Sequence, residues 1–279
     1  MTQVWVLTDE RYLGQRMPRV LLDELRRRGV PTRTVVAERL VQSLGRPDAG
    51  LDPWRDLEPG DVVLARTRNR FALALLRSAG RPGVTVLTPP GPVAAVRDKP
   101  HASQVLSAAG IPTPGTYLVD APAALRQLPP ERFPLLLKPH AGDNARGIVL
   151  VGSAAELDDV DWGDSMVLAQ EYVDSGAQDL KLYAVGDAVW GVRRPSPLSL
   201  PGRAVPQGVE RVVVTEELRR IAQACRRAFD LDLFGIDVLE TRAGPLVVDV
   251  NEFPNYTGVD EAPAAVADHV VGAVRAVAA

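Results

Sequence analysis

Two aspartates and an asparagine near the C-terminus carry the sharpest chemical signal in this 279-residue chain. Asp237 closes the run Phe234-Gly235-Ile236-Asp237, and Asp249 and Asn251 lie in Val248-Asp249-Val250-Asn251. A turn at Arg242-Ala243-Gly244 folds the two segments into a hairpin. Asp249 and Asn251, two residues apart, share one face of a strand, and Asp237 on the neighbouring strand adds a second carboxylate. Hard oxygen ligands with open coordination positions suit Mg²⁺ (or Mn²⁺) bridging nucleotide phosphates. Both acids sit within apolar runs. An unpaired carboxylate there costs on the order of several kcal/mol, and a metal is the natural partner.

Lysine is the second signal. Of 32 basic residues, 29 are arginine, and lysine stands only at Lys99, Lys138 and Lys181. Lysine is a compact, mobile point charge, whereas arginine is a planar fork needing more room. A point charge suits a phosphate in a narrow cleft. Lys138 ends the run Pro134-Leu135-Leu136-Leu137-Lys138-Pro139 and leads into a small, polar loop, residues 141–147. Such a loop can close backbone amides over phosphates. Lys181 follows Gln170-Glu171-Tyr172-Val173 and Asp179. Arg66, Arg68 and Arg70 form one basic group and Arg193, Arg194 and Arg203 a second. Either can grip a carboxylate or phosphate through two nitrogens. Asn255 and Tyr256, just past the metal strand, are candidates for an acceptor site.

Composition narrows the class. A net charge of −3 and 46% apolar residues describe a soluble globular protein rather than a nucleic-acid binder. No stretch is apolar enough to span a membrane, and the N-terminus lacks a signal peptide's apolar run. The lone Cys225 excludes an internal disulfide and fits a reducing compartment, which points to the cytoplasm. Its helix, Glu216 to Phe229, puts Leu218, Ile221, Ala222, Cys225 and Phe229 on one face, so Cys225 is read as core. His101, His140 and His269 show no zinc-ligand spacing. The four tryptophans, Trp5, Trp54, Trp162 and Trp190, are read as packing residues.

These residues need elements to position them. Strands at Val4–Leu7, Thr34–Ala37, Asp61–Ala65 and Val84–Leu87 alternate with helices such as Met17–Arg28, which predicts a parallel sheet. Ligands then bind beyond the carboxyl ends of its strands, at 8–11 and 66–70. Neither GxGxxG nor a P-loop pattern follows any strand. Thr88-Pro89-Pro90-Gly91-Pro92 is a rigid connector before a helix expected over Val93–Ala109. Strands are expected at Phe133–Pro139, Ile148–Gly152, Met166–Val173, Leu180–Val185, Ala188–Arg193, Phe234–Glu240 and Leu246–Val250. The run 196–207 reads as a loop, and a last helix begins near Glu261.

In this order and spacing the motifs resemble the ATP-grasp superfamily, from about Val93 to the C-terminus. The resemblance implies α/β and α+β subdomains: residues 1–92 preceding the ATP-grasp unit, a central lid at 93–169 and a catalytic unit at 170–279. It implies that Lys99, in Arg97-Asp98-Lys99, and Lys138 touch ATP phosphates. Gln170, Glu171, Tyr172 and Val173 match the hinge that binds adenine through its backbone, and Asp179 matches the acidic position after it. Asp237, Asp249 and Asn251 match the metal set. Lys181, Arg193 and Arg194 then become candidate catalytic cations, and Arg66, Arg68, Arg203 and Asn255 candidate substrate contacts. Length and Ala108-Ala109-Gly110-Ile111-Pro112 look like the small RimK/LysX-like carboxylate–amine ligases. The implied reaction activates a small-molecule or peptide carboxylate with Mg-ATP and joins it to an amine, on an anionic substrate. The stretches Leu233–Asp237 and Asp249–Val259 are also similar to inositol polyphosphate kinases, which leaves phosphorylation of a hydroxyl as the alternative. Homodimers are common among such proteins.

Overall fold

The computed structural model describes residues 2–44, 51–139, 147–163, 166–176, 178–196 and 208–278. Three sheets build it. The first is parallel, in the order β2-β1-β3-β4, from β1 (Val4–Thr8), β2 (Thr32–Val36), β3 (Val62–Arg66) and β4 (Thr85–Val86). Helices α1 (Glu10–Leu13), α2 (Arg16–Arg27) and α3 (Arg70–Ala79) join its strands. β1 and β3 are fully buried strands, as their unbroken apolar runs require of a sheet covered on both faces. Strand order reverses between β1 and β3, which opens a crevice beyond their carboxyl ends.

The expected helix over 93–109 is two helices, α4 (Pro90–Arg97) and α5 (Lys99–Ala108). Asp98 breaks it: its backbone is extended, and its side chain accepts a hydrogen bond from the backbone N–H of His101 at 3.1 Å. Pro100, in the first turn, has no N–H to offer an earlier carbonyl. The Arg97-Asp98-Lys99 motif is therefore a helix end joined to a helix start. Both helices pack on the third sheet: Val96, Ala102 and Leu106 share a core with Leu180, Ile236 and Val247. The segment expected as one lid, 93–169, thus spans two cores.

The second sheet, β5-β8-β6-β7, is antiparallel: β5 (Thr116–Val119), β6 (Leu135–Pro139), β7 (Val149–Val151) and β8 (Val167–Glu171). Leu135, Leu137, Val151, Val167 and Ala169 form its own small core, with Trp162 packed against it. The third sheet, β11-β10-β9-β12-β13, comprises β9 (Gln178–Val185), β10 (Ala188–Pro195), β11 (Glu210–Val212), β12 (Leu233–Thr241) and β13 (Gly244–Glu252). Helix α6 (Glu216–Phe229) covers one face, and Cys225 is buried there with its thiol pushed up to about 12 by burial. Helix α7 (Ala262–Ala278) joins the core shared by the first and third sheets, where Val4, Val6 and Leu64 meet Tyr183, Val192 and Phe253. Trp5 and Trp54 pack ring against ring with centroids 5.9 Å apart. Among the described residues no helix is long and apolar enough to cross a membrane.

Candidate active site

Three neighbouring strands assemble the site. Asp237 on β12 stands opposite Asp249 on β13 and opposite Lys181 on β9, while Asn251 stands opposite Gly235. The Asn251 amide nitrogen donates to Asp237 Oδ2 at 3.2 Å and to Asp249 Oδ2 at 3.1 Å, so the three side chains converge. Lys181 Nζ donates to Asp237 Oδ2 at 2.8 Å and Arg194 to Oδ1 at 2.7 Å. Burial alone would raise the Asp237 carboxyl; Lys181 and Arg194 outweigh it and hold it below the usual carboxylate range. Asp249 has no such cation and keeps only the Asn251 bond among the described residues.

A β-bulge lies beside these acids, where the register slips between Asp237 and Val238. The extra residue is Val248. Bulges re-aim side chains next to functional sites. Here Val248 lines the neighbouring pocket while the adjacent Asp249 keeps its place in the cluster.

That pocket lies between the second and third sheets. Leu136, Lys138, Gln170, the hinge Glu171–Val173, Asp179, Leu239 and Val248 line it. Lys138 Nζ donates to Gln170 Oε1 at 2.6 Å. Burial pulls the Lys138 ammonium down to about 8; Asp249 and Asp237 oppose the shift and Lys99 adds to it. Lys99, at the start of α5, therefore lies within the electrostatic reach of Lys138. The hinge differs from expectation in its free donors. The backbone N–H of Glu171 donates to Gly115 and that of Tyr172 to Pro134, at 2.8 and 2.9 Å. Val173 N–H donates to no described residue. The Glu171 carboxylate is engaged with Tyr117 and Arg132. Asp179 is buried with Oδ1 lacking a hydrogen-bond partner, and burial raises its carboxyl.

The first sheet supplies the third wall. Arg68 donates to Asn251 Oδ1 at 3.1 Å, which carries the loop after β3 to the metal candidates. Asp9, buried after β1, fixes that loop by accepting from Thr67 Oγ1 and from Arg68 N. Glu252, one residue past Asn251 and buried, accepts from Arg97 at 2.8 Å. Phe253 and Tyr256 are fully buried with φ of 27° and 51°. Bulky residues rarely adopt that region, at a cost on the order of 1–3 kcal/mol each. The resulting bends bring Asn255 against the α1–α2 junction, where it donates to Gln15 at 2.8 Å.

Not every expected residue joins. Arg193 alternates to the opposite face from Arg194 and is held there by both oxygens of Glu240, at 2.8 and 2.9 Å. It is removed from the catalytic set. Arg203, the loop 141–146 and most of 196–207 lie outside the described residues.

Two carboxylates and an amide oxygen do not cage an ion, and no group of three His, Cys, Asp or Glu among the described residues does. The donor set fits Mg²⁺, which keeps waters and substrate phosphates as further ligands. The Asn251 amide points its nitrogen at the acids and its oxygen at Arg68, so offering that oxygen to a metal requires the amide to turn over and give up the Arg68 bond.

A model of the RimK-like ATP-grasp domain matches residues 96–274. The chain belongs to the RimK-like ATP-grasp family. A probable alpha-L-glutamate ligase of Parasynechococcus marenigrum is 29% identical over 219 residues, covering 74% of this chain but only 47% of that relative. A probable alpha-L-glutamate ligase of Xanthomonas euvesicatoria is 28% identical over 241 residues, 77% of this chain and 79% of its own. The solved structure of D-cycloserine synthetase DcsG superposes with a TM-score of 0.73 at 20% identity, over 98% of this chain and 99% of that one, a likeness of fold. ATP-grasp ligases use ATP and a divalent metal.

In this ATP-grasp chain Gly235 has a local reason. A methyl group there would meet Lys181 Cε at 3.1 Å and Tyr183 at 3.3 Å. Gly235→Ala is expected to lower kcat by roughly tenfold or more through a displaced Lys181, with the melting temperature nearly kept. Steady-state rates and a thermal melt check this; an unchanged kcat would mean that Lys181 does not need its observed place.

Proposed function

We propose that this chain is a Mg-ATP-dependent ligase that activates a carboxylate as an acyl phosphate and joins it to an amine. The observation that supports it most is the Asp237–Asp249–Asn251 cluster, flanked by Lys181 and Arg194, beside a lysine-lined pocket and closed by Arg68. Val173 N–H receives the adenine, and the orphan Asp179 oxygen accepts from a ribose hydroxyl. Lys99 and Lys138 hold the phosphates. Asp237, Asp249 and Asn251 would hold Mg²⁺, which when bound offsets the charge of the phosphoryl group in transfer. A substrate carboxylate oxygen attacks the γ-phosphorus and ADP leaves; the neutral amine then attacks the acyl carbon, phosphate leaves, and the proton lost from nitrogen passes to the departing phosphate or to water. Lys181 and Arg194 keep Asp237 ionised throughout. The rest is positioning and charge, so no protein nucleophile is needed.

Residues 1–92, 93–169 and 170–279 are proposed as the preceding unit, the lid and the catalytic unit, with α4 and α5 docked on the last. The substrate is a small molecule or a peptide, and the anionic character proposed for it follows from Arg66 and Arg68. Homodimerisation and a cytoplasmic place complete the reading. The acyl phosphate leaves a trace: with ¹⁸O in the substrate carboxylate, one label is expected in released phosphate. Unlabelled phosphate alongside amide product would overturn that intermediate.

A further inference from the structure

Arg66 ends β3 at the crevice where the strand order of the first sheet reverses. It is only 7% exposed, and its Nε is buried without a hydrogen-bond partner. Its guanidinium lies 4.2 Å from the centre of the Tyr12 ring, and no described carboxylate forms an ion pair with it. The two buried acids nearby are committed elsewhere: Asp9 to Thr67 and the Arg68 backbone, Glu252 to Arg97. Burial pulls the Arg66 guanidinium down; Arg68 adds to that shift, while Tyr12 and Glu252, the latter beyond ion-pair distance, oppose it. A buried guanidinium that no carboxylate pairs with directly is expensive unless something supplies a partner. Strand ends at such a reversal are where α/β sheets hold ligands. The same α1 region carries a second orphan: Asn255 Oδ1 is buried without a partner, while its nitrogen bonds Gln15.

A carboxylate undergoing phosphorylation belongs beside the metal candidates, where Arg68 touches Asn251. Arg66, two residues earlier at the end of β3, makes no described contact with that cluster. A carboxylate on Arg66 is therefore one that does not react. An acyl donor spends its carboxylate in the reaction, but an amino acid that supplies the amine keeps one free. We propose that Arg66 is the specificity-determining residue that binds the free carboxylate of an amino acid acting as the amine substrate. The amine part rests on the ligase reading above; the carboxylate part does not.

The test is calorimetry on protein loaded with Mg²⁺ and a non-hydrolysable ATP analogue. The probes are L-glutamate, L-alanine and D-alanine, each against its α-carboxamide, with product analysis run beside it. Wild type is expected to bind at least one amino acid about 10²-fold more tightly than its amide, the size of effect of a lost charge-assisted pair. Arg66→Gln is expected to erase that preference while binding the nucleotide within about twofold, and Arg66→Lys to keep part of it. A melting curve separates loss of fold from loss of recognition. A preference that survives in folded Arg66→Gln, or a wild type that binds no probe, overturns the assignment. An Arg66-dependent preference with a phosphoester product would sink the ligase reading and keep the carboxylate site. Amide product without the preference would do the reverse.

Discussion

Asp249→Asn is expected to abolish turnover, lowering kcat by on the order of 10³-fold while the protein stays folded. The two acids of the cluster are not equivalent. Asp237 already has Lys181 and Arg194 on its oxygens, whereas among the described residues Asp249 has only the Asn251 amide. Asp249 is thus the carboxylate whose charge is left for a cation. Asparagine keeps the shape and removes that charge. Rates measured across Mg²⁺ concentrations check this. A variant that turns over like wild type would place the metal elsewhere.

The second large effect concerns Lys138. Its ammonium is pulled down to about 8 by burial, and it is the charge proposed to meet the phosphates. Nucleotide binding favours the protonated form, so ATP affinity is expected to be flat below pH 8. It then falls up to tenfold per pH unit above it, until the pKa of the complex is reached. Lys138→Arg should weaken ATP binding by roughly 10²-fold, because a planar fork replaces a point charge packed against Gln170. It should also flatten the pH profile, since guanidinium stays charged. Titrating the nucleotide analogue from pH 6.5 to 9.5 reads both effects. Wild-type affinity that holds level through that range would remove Lys138 from the phosphates.

Much of this was legible in the residues. Alternating apolar runs predicted the parallel sheet, and the hairpin around Arg242–Gly244 put Asp237, Asp249 and Asn251 together because strand periodicity is local. The scarcity of lysine drew attention to Lys138, which lines the pocket, and to Lys181, which bonds Asp237. What failed was non-local or subtle. Arg193 and Arg194 looked alike in sequence, but alternation sends them to opposite faces, and Glu240 was the signal that the first had a partner. The break at Asp98 could have been found from Pro100, two residues on. The bulge at Val248, the Glu252–Arg97 pair and the isolation of Arg66 depend on contacts across the chain, which no local pattern carries.

The central claim is that a carboxylate is joined to an amine at the expense of ATP. Purified protein with Mg-ATP, offered amino acids, short peptides and other carboxylates with amines in one pool and inositol phosphates in another, tests it by mass analysis. A condensed product with ADP and free phosphate in equal amounts is the predicted result. A product heavier by one phosphoryl group, with ADP and no free phosphate, would contradict it and make the chain a kinase.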